Sequence, residues 1–295
     1  MVKIINDFQV ISSKYEAVFC DLWGCIHNGK ESFKDSIKAL LRFRNRGGKV
    51  ILLTNAPRPQ LAIIDFLNQL KITKKYYDAI VTSGDATQLS LQSGNYGHDI
   101  FHIGPSRDLC IFDAGDNSVN DFNPINLVEI AKASCILCTG LFNDQIENPD
   151  DYKKIINQGV DKKLPLLCAN PDIQVDYGHQ RLWCAGAIAN NYRKAGGKSI
   201  YFGKPHKAIY DLALKKLYDI DPTISKHKII CIGDGIKTDI LGGNSMGLDT
   251  LFVSGGLADK ETGTIDGSES PDKDKLKLFF QKANLFPTAS IGFFR

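Results

Sequence analysis

The sequence predicts an α/β fold built on a parallel sheet, and three features indicate this class. Short apolar runs typical of buried strands alternate along the chain with segments of helical apolar spacing. One such run, residues 17–20, ends in Asp21 and a turn that contains Gly24. A second run, residues 228–232, leads into Gly233-Asp234-Gly235. Because open α/β sheets bind their ligands at the carboxyl ends of strands, these two positions are the first candidates for a functional site.

The first hundred residues follow a β-α-β-α-β order. A helix is predicted between residues 32 and 46, where apolar residues recur at helical spacing and Gly47-Gly48 provides a stop signal. The other elements predicted here are strands at residues 17–20, 49–53 and 79–81 and a helix at about residues 59–70. Strands separated by helices in this way predict a parallel sheet with right-handed crossovers.

The rest of the chain repeats this pattern, which indicates two units of similar style, the second inserted into the first. Strands are predicted at residues 99–103, 133–138, 164–168, 199–201, 228–232 and 250–253. Helices are predicted at about residues 150–158, 187–195 and 208–218. A chain of 295 residues is long enough for such an arrangement of one large α/β unit or two domains.

Charge and hydropathy argue against several classes of function. The net charge is +3 and no run of Lys and Arg is dense, so we expect no nucleic-acid partner. Residues 1–15 lack the apolar core of a signal peptide, and no apolar stretch approaches the length of a membrane span. We therefore expect a cytoplasmic protein without a membrane partner.

The eight cysteines lie within apolar segments, which is typical of buried, reduced thiols. Cys135 and Cys138 form a C-x-x-C pattern, but residues three apart in a strand face opposite sides of the sheet. A second such pair that would complete a zinc site is missing from the sequence. We expect no metal or redox role for this pair.

Four segments at predicted strand ends together indicate phosphoryl transfer. They are Asp21, Thr54-Asn55, Lys204 between Gly203 and Pro205, and Asp234 followed by Asp239. Each alone is ordinary, since a strand-end aspartate often caps a turn and a lysine beside proline usually lies in a solvated turn. Phosphoryl transfer requires a nucleophile, a cation, a hydroxyl or amide donor and a lysine, and this set supplies them. The two strand-end aspartates would form the site for a hard cation.

The ordered set resembles the motifs of the haloacid dehalogenase superfamily, in particular class IIA, the NagD-like hydrolases. The segments that carry the resemblance are Asp21-Leu-Trp-Gly24, Leu53-Thr-Asn55, Thr82-Ser-Gly84, Asn170-Pro-Asp172, Tyr201-Phe-Gly-Lys-Pro-His206, and Gly233-Asp234 with Asp239-Ile240 and Gly242-Gly243. The resemblance covers residues 15–256 and implies a Rossmann-like core with a parallel sheet, formed by residues 1–78 and 190–295. It also implies a large inserted α/β cap domain, residues 79–189, that closes over the site and selects small substrates.

By resemblance, the protein would be a Mg2+-dependent phosphatase that works through an aspartyl-phosphate. Asp21 would be the nucleophile. Its second oxygen, the backbone carbonyl of Trp23 and the carboxylate of Asp234 would bind Mg2+. Asp239 would lie in the outer shell of the metal and hold either a water molecule or Lys204.

The resemblance also implies a set of residues that contact the substrate. Thr54 and the backbone amide of Asn55 would hold phosphate oxygens, and Lys204 would offset the negative charge of the nucleophile and the phosphate. Asn170 and Asp172, on a cap loop, are candidates for facing the leaving group. The substrate would be a small phosphorylated metabolite, with sugar phosphates, nucleotides, glycolate phosphate and pyridoxal phosphate all left open. The resemblance also allows a homodimer through the cap.

The sequence departs from the family pattern at Trp23. Phosphatases of the family carry aspartate at this position, where it protonates the leaving alkoxide and then activates water. The indole N–H only donates a hydrogen bond and cannot shuttle a proton. Loss of a positioned acid or base typically removes about 10²–10⁴ in rate. Metal binding is unaffected, because the ligand at this position is the backbone carbonyl.

Three interpretations of Trp23 remain open. The substrates could have good leaving groups, such as acyl or aryl phosphates, which need little protonation. Another group could substitute, and His27 is the candidate because it lies close in sequence and titrates near neutral pH, although an ordinary polar loop residue explains it as well. Alternatively, the chain is a non-hydrolytic binder of a phosphorylated metabolite.

Two nucleotide-binding motifs are approached but not matched. Gly233-x-Gly235-x-x-Thr238 ends in threonine and places Asp234 where it would repel a pyrophosphate. The segment Gly196-Gly-Lys-Ser199 is similar to a P-loop, but Tyr192 stands in place of the first glycine. Dehalogenation is also disfavoured, because dehalogenases do not need the phosphate and metal set present here.

Overall fold

The computed structural model describes residues 2–113, 124–178, 180–265 and 270–295. The first sheet has seven strands in the order β1-β14-β13-β12-β2-β3-β4, and every ladder in it is parallel. Its strands are β1 (Lys3–Ile5), β2 (Ala17–Cys20), β3 (Lys49–Thr54), β4 (Ala79–Thr82), β12 (Ile229–Gly233), β13 (Asp249–Val253) and β14 (Ala289–Ile291). The predicted α/β class with a parallel sheet is confirmed.

The helices on the first sheet account for most of the crossovers between its strands. They are α1 (Gln9–Ser12), α2 (Lys34–Asn45), α3 (Gln60–Gln69), α7 (Lys207–Ile220), α8 (Leu241–Ser245), α9 (Asp259–Thr262) and α10 (Lys273–Ala283). Helix α4 (Ser83–Gln92) follows β4, but its residues Ala86 and Leu91 belong to the apolar cluster of the second sheet. A single π-helical turn, Ile236–Ile240, precedes α8. Apolar residues of β2, β3 and β12 are buried on both faces of the sheet, as the near-continuous apolar runs predict.

The second sheet has five parallel strands in the order β11-β8-β7-β5-β6. Its strands are β5 (Asp99–Ile103), β6 (Asn126–Leu127), β7 (Cys135–Cys138), β8 (Pro165–Cys168) and β11 (Lys198–Tyr201), and its helices are α5 (Lys153–Asp161) and α6 (Ala185–Lys194). A separate antiparallel hairpin pairs β9 (Gln174–Tyr177) with β10 (Gln180–Trp183). We call the pair β9 and β10 the cap hairpin. The sequence pattern predicts neither this hairpin nor the edge strands β1 and β14.

The sheets assign two elements differently from the predicted domain boundaries. Strand β4 lies in the seven-stranded sheet although residues 79–189 were expected to form the cap. Strand β11 lies in the five-stranded sheet although it falls within the range predicted for the core. The reason is that apolar runs identify a buried strand but carry no information about the sheet it joins.

A capping box fixes the exit from the first sheet into α4. The Thr82 hydroxyl accepts a hydrogen bond from the backbone N–H of Asp85 at 2.8 Å, and the Asp85 carboxylate accepts one from the N–H of Thr82 at 3.0 Å. The same carboxylate accepts a bond from the N–H of Gln60, at the start of α3, at 2.9 Å. One side chain therefore ties two helix starts to the end of β4.

The cysteine pair on β7 lies as predicted on opposite faces of its sheet. Cys138 packs among Ile103, Ile136 and Tyr192, whereas Cys135 packs in a different cluster with Ile100. All eight cysteines are free thiols, and only Cys110 is not fully buried. Within the described ranges, none of the helices combines the length and the apolar character that a membrane span requires.

Because seven thiols are buried, we expect one thiol of the folded protein to react quickly with Ellman's reagent. Burial also raises the pKa of Cys135 to about 12, which suppresses the reactive thiolate. The remaining thiols should react only in denaturant, so that eight are counted in total. The variant Cys110→Ser should remove the fast phase. A second fast thiol in that variant would contradict the packing described above.

Candidate active site

Two aspartates and a threonine meet at one edge of the seven-stranded sheet. Strands β12, β2 and β3 are neighbours, and Asp234, Asp21 and Thr54 lie at their carboxyl ends. The backbone N–H of Asp21 donates to the carbonyl of Ile232 on β12 at 2.8 Å, which continues the ladder as far as Asp21. The convergence predicted from the sequence is therefore present.

Lys204 lies between two of the carboxylates. Its Nζ is 2.7 Å from Asp21 Oδ1 and 2.8 Å from Asp239 Oδ1. Its side chain is 2% exposed, so these ion pairs are shielded from water and from salt. Lys204 does not follow a strand of the core sheet. It follows β11 of the second sheet and enters the site where the chain returns to the core.

Backbone and hydroxyl donors hold the other two carboxylates. Asp239 Oδ2 accepts from the N–H of Gly235 at 3.1 Å and from the Thr238 hydroxyl at 3.2 Å. With its Oδ1 on Lys204, Asp239 is engaged at both oxygens. Asp234 Oδ2 accepts from the N–H of Leu257 at 2.9 Å.

Gly24 lets the turn after β2 approach Asp234 closely. A Cβ atom at position 24 would lie 2.0 Å from Asp234 Oδ2, and Gly24 has φ +70°. The contact and the left-handed backbone each exclude a larger residue here. Glycine at this position therefore brings the loop that carries Trp23 against the carboxylate cluster.

The charges of the cluster do not balance. Asp21, Asp234 and Asp239 each offer an oxygen within 4.8 Å of the others, and Lys204 is the cation paired with them among the described residues. Burial raises the pKa of Asp21 well above its usual range, although Lys204 opposes this shift. Burial, reinforced by Asp239, raises the pKa of Asp234 to about 7. Burial alone would lower the pKa of Lys204, but the carboxylates raise it above its ordinary value.

A hard divalent cation would fit this cluster. The donors are carboxylate oxygens, the ligands that Mg2+ and Ca2+ prefer, and the excess negative charge would be compensated by such an ion. Asp21 and Asp234 have oxygens available for it, whereas both oxygens of Asp239 are engaged. Asp239 is thus placed to position Lys204, one of the two roles expected for it.

Thr54 and Asn55 lie beside Asp21, and the Asn55 side chain has a structural role. Its Oδ1 accepts from the backbone N–H of Lys204 at 2.6 Å, and its Nδ2 donates to the carbonyl of Lys204 at 3.2 Å. Nδ2 also donates to Asp172 Oδ1 at 2.9 Å. Thr54 Oγ1 accepts from the N–H of Ala56 at 3.2 Å, which leaves its hydroxyl hydrogen free to donate.

The two cap residues predicted to face the leaving group differ in position. Asp172 reaches into the site, but its carboxylate is bonded to Asn55. Burial raises the pKa of Asp172, and nearby Lys204 opposes this shift. Asn170 Oδ1 accepts from the N–H of Asp172 at 3.1 Å, and Asn170 lines the neighbouring cavity. Sequence reasoning missed that Asp172 and Asn55 join the two units.

Trp23 extends from the turn into an aromatic cluster. Its ring centroid lies 4.9 Å from that of His27, 6.4 Å from Phe66 and 6.1 Å from Tyr177 of the cap hairpin. With Phe66 and Tyr177 it lines a cavity of about 530 Å³ between the two sheets. The cavity is also lined by Pro57, Arg58, Arg107, Asp108, Thr139, Gly140, Leu141, Asp144, Gln145, Asn170, Val175, Leu182, Trp183 and Cys184.

His27 is not placed to replace the missing acid. Its side chain is fully buried, and burial lowers its pKa to about 3. Nδ1 accepts a hydrogen bond from the N–H of Gly29 at 3.1 Å, and Nε2 has no hydrogen-bond partner among the described residues. The imidazole is neutral at pH 7 and cannot donate a proton as an imidazolium.

Comparison with known proteins identifies the family and supports the fold. The family model for haloacid dehalogenase-like hydrolases matches residues 18–116, and a second, HAD-hydrolase-like model matches residues 201–273. The crystal structure of a hydrolase of the haloacid dehalogenase-like family from Brucella suis 1330 is 37% identical and covers 99% of this chain and 100% of its own, with a TM-score of 0.85.

More distant relatives show the same pattern. A possible sugar phosphatase of the HAD superfamily from Cytophaga hutchinsonii is 20% identical, with 99% of this chain and 98% of its own covered and a TM-score of 0.78. The acid sugar phosphatase of Staphylococcus aureus is 25% identical over 254 residues, which are 84% of this chain and 90% of that protein. The chain belongs to the haloacid dehalogenase-like hydrolase family. The predicted family is thereby confirmed, and the subgroup defined by Trp23 stays a prediction.

We expect Asn55→Ala to lower the free energy of unfolding by about 2–4 kcal/mol, because it leaves the buried N–H and carbonyl of Lys204 without partners. Urea denaturation measures the change. The control is Asn126→Ala, which removes an exposed bond to Asp99 and should shift stability by less than about 0.5 kcal/mol. Equal effects of the two substitutions would contradict the structural role of Asn55.

His27 should make the fold sensitive to mild acid. Its pKa is lowered on folding, so the stability it confers is complete above the unfolded value of about 6.5 and falls as the pH drops toward about 3. Between pH 7.5 and pH 5 the loss should be about 2 kcal/mol. His27→Asn keeps an acceptor for Gly29 and should lose that much less stability over the same range in urea titrations. An unchanged pH dependence in this variant would show that the folded pKa is close to normal.

Proposed function

We propose that the protein is a metal-dependent phosphatase that hydrolyses small phosphate monoesters through a phosphoryl group on Asp21. The observation that carries the proposal is the buried lysine held between Asp21 and Asp239, with Asp234 in the same oxygen cluster. Lys204 in this position favours the ionised form of Asp21, the form that would act as the nucleophile, and so opposes the effect of burial. The relatives named as sugar phosphatases support the same class of substrate.

The residues around Asp21 suit a phosphate group. The Thr54 hydroxyl hydrogen and the backbone N–H of Asn55 would donate to phosphate oxygens. The ammonium of Lys204 would offset the charge that the phosphate brings into a site already rich in carboxylates. Asn55 holds Lys204 by its backbone, so the lysine is positioned before any ligand binds.

A divalent cation, which we propose to be Mg2+, would be held by Asp21, Asp234 and the carbonyl of Trp23. When bound, it supplies charge neutralisation for the phosphate oxygens. Asp239 would act through Lys204 and not as a ligand, since its two oxygens are engaged. The protein's own contribution is the rigid placement of these groups at the edge of one sheet.

The reaction would proceed in two displacements. A carboxylate oxygen of Asp21 attacks phosphorus, the bond to the ester oxygen breaks, and its electron pair leaves with that oxygen. Water then attacks phosphorus and releases the Asp21 carboxylate, and both protons of the water end on the dihydrogen phosphate product. Neither Trp23 nor the neutral, buried His27 donates a proton to the departing oxygen in this scheme.

The second candidate function, a non-hydrolytic binder of a phosphorylated metabolite, is favoured by Trp23. A missing acid typically costs about 10²–10⁴ in rate, which would leave ligand binding intact while turnover falls. Both candidates place a small phosphorylated ligand between the two sheets, with the second unit as the cap. The homodimer through the cap stays a prediction.

The test compares the wild type with Asp21→Asn and Trp23→Asp in saturating Mg2+. We expect the wild type to hydrolyse 4-nitrophenyl phosphate and Asp21→Asn to lose at least about 10³-fold in kcat, since the nucleophile is removed. Trp23→Asp should gain activity on glucose 6-phosphate, a poor leaving group, by about 10²-fold or more. EDTA should abolish all activity.

The Glu31→Gln variant serves as a control because Glu31 is an exposed acid outside the cluster, and its activity should match that of the wild type. A silent wild type with an active Trp23→Asp variant would favour the binder. No hydrolysis of either ester by the wild type or by Trp23→Asp would overturn the phosphatase proposal.

A further inference from the structure

The carboxylate of Asp234 is enclosed by backbone on two sides. A Cβ atom at Gly24 or at Gly256 would lie 2.0 Å from Asp234 Oδ2, so a side chain at either position would displace this carboxylate. The same oxygen accepts a hydrogen bond from the N–H of Leu257 at 2.9 Å. Oδ1 makes no hydrogen bond to the residues that the structure describes, so it is the oxygen left for a cation.

The loop that follows β13 supplies the contacts of Gly256 and Leu257 with this carboxylate. We call residues 254–258 the clamp loop. The N–H of Ser254, at its start, donates to the carbonyl of Ile291 on β14 at 2.9 Å. The sheet therefore fixes only the start of the clamp loop. Gly256 and Leu257 are only partly buried, so apolar packing does not by itself fix the part that contacts the carboxylate.

Three buried hydroxyl groups hold the remainder of the clamp loop. Ser254, Thr262 and Thr264 are 0%, 0% and 3% exposed, and we call these three side chains the hydroxyl network. Thr262 Oγ1 lies 2.8 Å from the carbonyl oxygen of Ala258 and 3.1 Å from that of Ser254, so its hydrogen can be donated to either end of the clamp loop. Thr264 Oγ1 lies 2.9 Å from Thr262 Oγ1 and donates to Ser254 Oγ at 2.7 Å. Ser254 Oγ donates in turn to the carbonyl of Ile291 at 3.2 Å.

The burial of the hydroxyl network makes its bonds difficult to break. A bond lost here would leave a polar atom without a partner in the protein interior, which is unfavourable. Both ends of the clamp loop are joined through Thr262, so the short stretch between them has little freedom to move. The clamp loop is therefore held against Asp234 before any ligand binds.

We infer that the hydroxyl network positions the cation site, because it holds the clamp loop so that Asp234 presents Oδ1 alone to the ion. The inference rests on the proposed function, in which Asp234 binds a divalent cation. Asp21 is restricted in the same way, since its Oδ1 accepts from Lys204 Nζ at 2.7 Å and from the N–H of Leu22 at 2.8 Å. Ser254, Thr262 and Thr264 would thus be positioning residues that act through a backbone loop, and none of them would contact the ion.

Mg2+ and Ca2+ would respond differently to the loss of this control. Mg2+ demands near-ideal octahedral geometry, whereas Ca2+ accepts a flexible shell of about six to eight oxygens. A carboxylate that is free to rotate should therefore weaken the binding of Mg2+ more than that of Ca2+. A general loss of structure would instead weaken the binding of both ions alike. The ratio of the two affinities thus separates positioning from stability.

The test measures cation affinity by isothermal titration calorimetry on the full chain without substrate, with Mg2+ alone and with Ca2+ alone. Thr262→Val keeps the shape of the side chain and removes its hydroxyl. We expect the Kd for Mg2+ to rise about tenfold or more, the usual effect of removing an outer-shell partner, and the Kd for Ca2+ to rise less than about threefold. Thr262→Ser keeps the hydroxyl and should bind Mg2+ within about twofold of the wild type.

The matched control is Thr250→Val. Thr250 is also fully buried and lies on β13, but at the amino end of the strand, where its hydroxyl donates to Asn244 Oδ1 at 3.2 Å. This variant should leave both cation affinities unchanged. Thermal melting without metal checks that each variant folds. Ser254→Ala removes another hydroxyl of the network and replaces Thr262→Val in the test if that variant does not fold, with the same result expected.

Turnover separates this inference from the proposed function. With 4-nitrophenyl phosphate, Thr262→Val should need more Mg2+ for its half-maximal rate. At saturating Mg2+ its kcat should return to within about threefold of the wild type, because Asp21 and Lys204 are unchanged. Unchanged Mg2+ affinity in Thr262→Val, or equal weakening of Mg2+ and Ca2+, would overturn the inference and leave the phosphatase in place. A wild type that binds neither cation would overturn the metal-dependent function itself.

Discussion

The site depends on one interaction, the buried ammonium of Lys204 between the carboxylates of Asp21 and Asp239. A carboxylate at the end of a buried strand is unfavourable in its ionised form, and this lysine provides a nearby positive charge that opposes the cost of desolvation. The lysine in turn arrives from the second unit, where the chain returns to the core after β11. Folding of the inserted unit therefore influences the charge state of Asp21 through a single side chain.

The side chain of Asn55 joins the two units directly. By bonding both backbone groups of Lys204 and the carboxylate of Asp172, it ties the end of β3 to the return segment and to a cap loop. Asn55, which we propose to hold phosphate by its backbone N–H, thus also joins the two units by its side chain. A movement that separates the second unit from β3 would therefore have to break these hydrogen bonds.

The sequence predicts the parts of this arrangement that depend on local patterns. Apolar runs locate most buried strands, and strand-end polarity locates Asp21, Thr54 and Asp234, because parallel strands bring their carboxyl ends together. The sheet that a strand joins depends on residues far away in the sequence. The predicted domain boundaries therefore do not match the sheets that β4 and β11 join. The cap hairpin has a mixed polar composition without a clear periodic pattern, so the sequence does not predict it. The contact between Asn55 and Asp172 joins residues far apart in sequence and is equally unpredictable from local patterns. The burial of His27 could not be predicted either, because it results from packing against aromatic residues such as Phe66 that are distant in sequence.

The residues around Trp23 pack closely against its indole. A Cβ atom at Gly29 would lie 2.5 Å from the Trp23 ring and 2.8 Å from the ring of Tyr177, so glycine is required for these two rings to come together. His27 packs edge to face against Trp23, and burial in this cluster lowers its pKa to about 3. The indole is therefore packed against a neutral, buried imidazole. An aspartate in place of Trp23 would leave this apolar pocket without its largest ring. The packing that holds the indole therefore also forms one wall of the cavity beside the candidate site.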